Sequence, residues 1–404
     1  MNAVTLARLR EALPHDDPAR TAALAAFLAA GFPQRGTEDW RYTALDHLDA
    51  VDLHAPQTLA ALPLPDHPGS VLHFVNGRAL PDNPSLPHVT HLALARAALG
   101  RVADGRALDQ LNRALWRDGV ALTVPAQQRN TPLFIVHDAT EAGAMIHLRH
   151  LVVLEAGAEA ILVEHDRGLP GTPYWVNTVC EIALGEGARL THVRVVGESD
   201  AATHTALVAV EQSRDSVYRG VTLTLGGRVV RQDYAAALCG RDAQCAIDGV
   251  FIAQGRRHFD HQVRIHHHAT HTTSRQTWRG IADGRGRGIF DSRVVVQPGA
   301  QQADARQSSR NLLLSADAEI DVKPQLEIWT DDVQCSHGAT VGRLDADALF
   351  YLQSRGIAAA EARRLLLEGF VDEALDSVRA AGLMNWLAAL LRAALPATRE
   401  ERST

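Results

Sequence analysis

Lysine is almost missing from this chain: Lys323 is the only one in 404 residues, although arginine is abundant. A phosphate-binding loop of the Gly-Lys-Ser/Thr kind needs a lysine to reach the β and γ phosphates, so none can exist here. A Schiff-base lysine would have to be Lys323, which Pro324 follows directly. If ATP enters this protein's work, another chain must hydrolyse it. Cysteine is scarce too. Cys180, Cys239, Cys245 and Cys335 form no C-x-x-C pair, which argues against a disulfide framework, a zinc ribbon and a thioredoxin-type motif. No run of 18 apolar residues and no basic–apolar–small N-terminal pattern occurs. Neither a membrane span nor a secretory signal is therefore expected, and a cytoplasmic location is the default. A net charge of −7 argues against a dedicated nucleic-acid binder, which needs a basic face.

What is present is ordinary for a globular protein: 46% hydrophobic and 22% charged residues, in a chain long enough for two or three domains and a sizeable core. Residues 1–31 read as helix, with Val4, Leu6, Leu9 and Leu13 at helical spacing and a second Ala/Leu-rich helix from Pro18 to Ala30 closed by Gly31. A loop follows, in which Trp40 and Tyr42 are expected to pin the N-terminal helices to another element. Residues 46–70 read as loop, Val71–Val75 as a strand before an Asn76-Gly77 turn, and 105–117 as an amphipathic helix. After Asp345, a natural N-cap, the chain reads as helical almost to a polar tail at 396–404. The expected division is 1–119 (helical and mixed), 120–344 (β core) and 345–404 (helical).

From about 120 to 340 short apolar runs recur, separated by two-residue turns. Gly157-Ala158 and Gly187-Ala188 punctuate one pair of runs, 30 residues apart; Gly299-Ala300 and Asp317-Ala318 punctuate another, 18 apart. A loose repeat of this kind marks a solenoid. It favours a parallel β-helix over an antiparallel sandwich or a double-stranded barrel.

Two clusters carry candidate chemistry. Six histidines fall between His258 and His271, and the H-x-H pair His266/His268 would share one strand face. The spacing is similar to cupin metal sites, yet residues 269–277 hold no carboxylate, so a stack of polar side chains on a solvated face is the preferred reading. The second cluster is Cys335-Ser-His337-Gly, after the alternating strand pattern at Leu326–Thr330. A thiol and an imidazole on one face are ligands suited to iron–sulfur species if a partner supplies the rest. A tight strand-to-helix corner with a buried cysteine and a backbone-bonded histidine explains the same residues equally well. Cys180, Cys239 and Cys245 are expected in the core.

The segment Lys323–Asp345, with its Cys-Ser-His-Gly-Ala-Thr core at 335–340, resembles the C-terminal signature of the SufB/SufD family of the SUF iron–sulfur cluster assembly system. The stretch from Phe32 to Leu45, Phe74-Val-Asn-Gly77 and Arg264–Ser274 are similar to further family segments, so the likeness runs from about 32 to 370. Length, N-terminal helices and the aromatic loop place it nearer the SufD branch than SufB. The resemblance implies a mainly β fold: a right-handed parallel β-helix core flanked by α-helical N-terminal and C-terminal regions. It implies a scaffold subunit without its own ATPase site, pairing with SufB through the last rungs and docking the ABC-type ATPase SufC on the helices from about 346 to 395. It implies a transient iron–sulfur cluster shared with SufB, with His337 as the matching interface histidine and Cys335 as a secondary candidate. It leaves open a homodimer when the chain is isolated. The rival reading is a cupin-like or β-helix metalloenzyme using His266, His268 and His271; a carbohydrate-active β-helix is weaker, because no paired-carboxylate motif stands out.

Overall fold

The computed structural model describes residues 17–34, 36–103, 105–129 and 131–396. The helical spacing at Val4–Leu13 and the tail after Pro396 lie outside them. Within them the chain winds into a parallel β-solenoid of about eight turns, with helices flanking both ends. From Val120–Val124 onward successive strands go alternately to two sheets, one of ten strands and one of nine. In the nine-stranded sheet Met145, Trp175, Thr203, Val229, His258, Arg287 and Glu319 stack in register, so a turn takes 26 to 32 residues. Alternate side chains of each strand point into the space between the sheets. Leu162, Leu190, Val230, Phe259 and Phe290 fill that space. Both faces of both sheets are largely covered, which is why the strands read as apolar runs rather than clean alternation.

The repeat resides in one corner. Gly157, Gly187, Asp215, Asp242 and His271 all have positive φ, between 57° and 67°. Each donates its N–H to a carbonyl one turn on, as from Gly157 to Glu186 at 2.7 Å and from His271 to Gln301 at 2.9 Å. The residue after each is small and buried: Ala158, Ala188, Ser216, Ala243 and Thr272. The 30-residue spacing is therefore one full turn. The 18-residue spacing is not a turn: Gly299 and Asp317 lie at opposite corners, either side of strand Ala303–Leu313.

Helix α1 (Pro18–Ala30) starts at Asp17, whose carboxylate accepts from the Ala19 and Arg20 amides, and stops at Gly31 (φ 74°). It packs with α2 (Ala107–Leu115) on the outer face of the nine-stranded sheet, where Phe27, Leu111 and Leu115 meet Met145 and Trp175. Helix α3 (Ala346–Ser354) is capped by Asp345 as expected and has no buried residue. Helix α4 (Ala359–Asp372), a 3₁₀ helix (Glu373–Ala381) and α5 (Met384–Ala394) fold back on the ten-stranded sheet. There Leu375, Val378, Leu387 and Leu391 cover Val193, Val221, Val250 and Ile281.

The two ends of the solenoid differ. At the first, Ser70–Val75 joins the ten-stranded sheet and turns back through Asn76-Gly77 to Arg78–Ala79, while antiparallel Val89–His91 closes the other sheet. At the last, strands Glu319–Ile328 and Val333–Gly342 each pair on one edge only. An open strand edge is a template for another chain unless something covers it.

Candidate functional site

Cys335 and His337 sit inside the last strand, opposite Ala305 and Gln307 of the strand before. They are not at a strand-to-helix corner: the bend between the last two strands falls earlier, at 331–332, and the passage to the helix later, at 343–345. Their common parity puts both on one face. Cys335 is half-buried and packs against the solenoid interior with Val333. Burial pushes its thiol above the ordinary value, so it is protonated at neutral pH. His337 is exposed at the open end, with no backbone to hold its ring. Beneath it runs a buried polar file: the Gln307 amide donates to Ser292 Oγ at 2.7 Å, and Ser292 Oγ donates to Gln276 Oε1 at 2.6 Å. Gln307 Oε1 has no hydrogen-bond partner. Around the end Ile328, Trp329 (65% exposed) and Val341 present apolar surface to solvent.

The aromatic loop reaches this end from the outside. Arg231 lies over the Trp40 ring at 3.9 Å and donates to the Asp39 carbonyl at 2.7 Å. Asp39 pairs with Arg264 at 3.3 Å; Glu38 pairs with Arg293 at 3.3 Å and with Lys323 at 3.1 Å. These four basic residues lie on four consecutive strands of the nine-stranded sheet. The single lysine thus ties the N-terminal loop to the last turn, and with Arg293 it holds the Glu38 carboxyl below its usual range. Trp40 pins the loop as expected; Tyr42 stacks only on Arg41.

The histidine-rich segment divides by parity. His266 and His268 share the outer face, with rings stacked 5.9 Å apart. Burial, then His268, lowers the His266 pKa. His271 is not with them, because it occupies the left-handed corner. His261 and His267 point inward, bonded to Thr224 and to Thr272 and Ser274, so these two do not belong to a solvated face. Cys180 and Cys245 are core residues, but Cys239 is exposed: it follows the last residue of strand Val229–Leu238, and its parity turns it outward. Asp283–Gly288 forms the expected turn, with the Gly286 amide donating to Asp283.

Among the described residues, three or more potential ligands come within 4.8 Å of one another at two places, Glu164/Cys180/His192 and Asp166/Glu198/His204. Neither includes residues 266, 268, 271, 335 or 337. Both lie inside the solenoid, within stretches that read as apolar runs. The available signal was a charged residue at every second position, as in Glu164-His-Asp166 and His192-Val-Arg194. Burial alone would raise the Glu164 carboxyl, but Arg194 and His192 outweigh it and hold it well below the ordinary range.

The fold is thus a parallel β-solenoid with one capped end and one open end, and the open end carries the Cys/His strand. The model of the SufBD core domain of the SUF iron–sulfur cluster system matches residues 135–370. An iron–sulfur cluster assembly SufBD family protein of Synechocystis is 32% identical over 390 residues, covering 88% of this chain and 86% of its own. The iron–sulfur cluster assembly protein SufD of Escherichia coli is 29% identical over 384 residues (91% and 90%), and that of Bacillus subtilis 27% over 297 (72% and 68%). This chain belongs to the SufBD family of iron–sulfur cluster assembly proteins, on the SufD side of it. No described helix is long and apolar enough to cross a membrane.

Proposed function

We propose that this chain is a scaffold subunit of an iron–sulfur cluster assembly complex and not an enzyme in its own right. It pairs edge to edge with a SufB-type solenoid through strands Glu319–Ile328 and Val333–Gly342. A cluster forms transiently between the two chains, with His337 as this chain's ligand and Cys335 in reserve. Burying His337 between two chains desolvates its ring and favours the neutral, ligating form. The observation that carries this reading is the open end: unpaired edges, exposed apolar side chains and an unheld histidine occur together on the last turn. A SufC-type ATPase docks on the C-terminal helices. Support comes from α3, which buries nothing and presents Phe350 and Tyr351, 71% and 57% exposed, and from the lack of a P-loop in this sequence.

The test is co-expression with SufB and SufC. His337→Ala is expected to co-purify with both partners while cluster absorbance and reconstituted iron and sulfide fall at least severalfold. Normal cluster build-up in that variant sinks the role of His337. Failure of the wild-type chain to bring down SufB sinks the pairing.

A further inference from the structure

We infer that the solenoid interior contains a site for a divalent transition-metal ion of the zinc or ferrous class, with His204 Nε2 and Asp166 Oδ2 as protein ligands and Glu198 as the group that orients His204. Strand Glu159–Gly168 turns Glu164 and Asp166 inward, and strand Arg189–Gly197 turns His192 and Arg194 inward. His204 faces them from the other sheet. All are buried.

The hydrogen bonds fix which atoms are left over. His204 Nδ1–H donates to Glu198 Oε1 at 2.8 Å, so its Nε2 carries a lone pair. The Tyr174 hydroxyl donates to the other Glu198 oxygen at 2.6 Å. His137 Nδ1–H donates to Asp166 Oδ1 at 2.7 Å. Asp166 Oδ2 and His204 Nε2 remain, 4.0 Å apart, and neither has a hydrogen-bond partner. That gap is too long for a hydrogen bond, but two metal–ligand bonds of about 2.1 Å each span it at a wide angle. A histidine that gives its Nδ1–H to a carboxylate and offers Nε2 is the arrangement that orients metal-binding imidazoles.

Charge points the same way. Glu164, Asp166 and Glu198 bring three carboxylates into the enclosed space, against one guanidinium, Arg194, which lies 3.7 Å from Asp166 Oδ2. Uncompensated buried charge is strongly destabilising, and a dication restores neutrality with every imidazole neutral. A protonated His204 does not serve, because its Nε2–H would be stranded 4.0 Å from the oxygen it should meet. The site is six strands from Val333–Gly342 in the ten-stranded sheet, about 29 Å at the usual strand spacing, and is independent of the cluster reading. Being enclosed, it takes its ion during folding.

The test uses the full chain, unfolded with a chelator and refolded with Zn²⁺ alone, with Fe²⁺ alone under anaerobic conditions, or with no metal. Each sample passes through chelating resin before metal analysis and a thermal melt. About one equivalent of metal should be retained and should raise the melting midpoint, since an ion that binds only the folded state stabilises it. The zinc absorption-edge fine structure should show nitrogen and oxygen neighbours without sulfur. Retention should persist in His266→Ala/His268→Ala and be lost in folded His204→Gln or Asp166→Asn. No retained metal with an unchanged midpoint means buried waters fill the space and overturns the proposal. So does a sulfur ligand, which places the ion at Cys180 or Cys335, or loss of metal in the His266/His268 variant. The metal content and spectrum of the wild-type chain decide even if neither interior variant folds.

Discussion

Two glycines show how differently the same residue type is used here. Gly249 faces the interior beneath Trp278, which is fully buried and donates its indole N–H to the Ile247 carbonyl at 3.0 Å. A Cβ added at Gly249 would meet the Trp278 ring at 2.5 Å, and the anchored ring has nowhere to go. Gly187 is the opposite case: nothing lies within 4 Å of its added Cβ, and only its φ of 66° restricts it. Asparagine tolerates that conformation, and Asp215, Asp242 and His271 occupy the equivalent corners of other turns. Gly249→Ala is therefore expected to lower unfolding free energy by about 1–3 kcal/mol, and Gly187→Asn to cost well under half as much. Denaturant titration checks the ranking; equal midpoints would contradict the packing described for Trp278. The same contrast explains what the sequence could reveal about the repeat. Gly-Ala corners were legible, whereas corners built on Asp-Ser or His-Thr hide a shared backbone conformation behind unlike side chains. Cys335 and His337 were legible as a same-face pair. Their place within an edge strand was not, because pairing on one side only is a property of the whole sheet.

At the scale of elements, α2 is held by more than its apolar stripe. Leu111 and Leu115 were readable from their spacing, but Asp109 and Asn112 on the same helix are also buried. They meet Arg149, fully buried, whose guanidinium donates to Asp109 at 2.9 Å, to Asn112 at 3.0 Å and to Glu181 at 2.6 and 2.9 Å. Burial alone would raise the Glu181 carboxyl; Arg149 and the Gly100 amide outweigh it and lower its pKa. Arg149→Met leaves two carboxylates in the interior without a cation, and a loss of about 3–5 kcal/mol is expected. Arg149→Lys should recover only part of it, because a single ammonium cannot copy the fork. The measurement is equilibrium unfolding together with limited proteolysis of the 99–118 region. A loss below about 1 kcal/mol would mean the triad is replaceable by water. Helices α1 to α5 and the 3₁₀ helix Glu373–Ala381 all fall where the sequence reads as helical, since caps and 3.6-residue periodicity are local. The polar contacts that dock them join residues far apart in sequence, such as Asp109 with Arg149, Arg20 with Trp116 and Arg279 with Glu373, and no local pattern signals those.

The whole solenoid is built around imidazoles kept neutral. Burial drives the pKa of His147, His150 and His165 down to about 3 and that of His261 and His267 down to about 4. In the unfolded chain each titrates near 6.5. Their folded values lie below the unfolded one, so the unfolded chain binds more protons as pH falls. The stability these groups allow is complete above about pH 6.5 and is lost as pH drops from there toward 4. At pH 5 each contributes a loss of roughly 2 kcal/mol, and five of them together approach the full stability of an ordinary domain. Carboxylates held low in the fold, such as Glu164, Glu181 and Asp233, act in the same direction but only at lower pH, where they begin to protonate. Two successive acid windows are therefore expected, histidine first. Thermal midpoints measured from pH 8 to pH 4.5 should be flat down to about 7 and then fall steeply. His261→Gln, which can keep the bond to Thr224, should reduce the slope between pH 6 and 5 by about one proton. A midpoint that stays level from pH 7 to pH 5 would show that these rings are reached by solvent, both His150, His261 and His267 between the sheets and His147 and His165 beneath the segments that cover the outer faces.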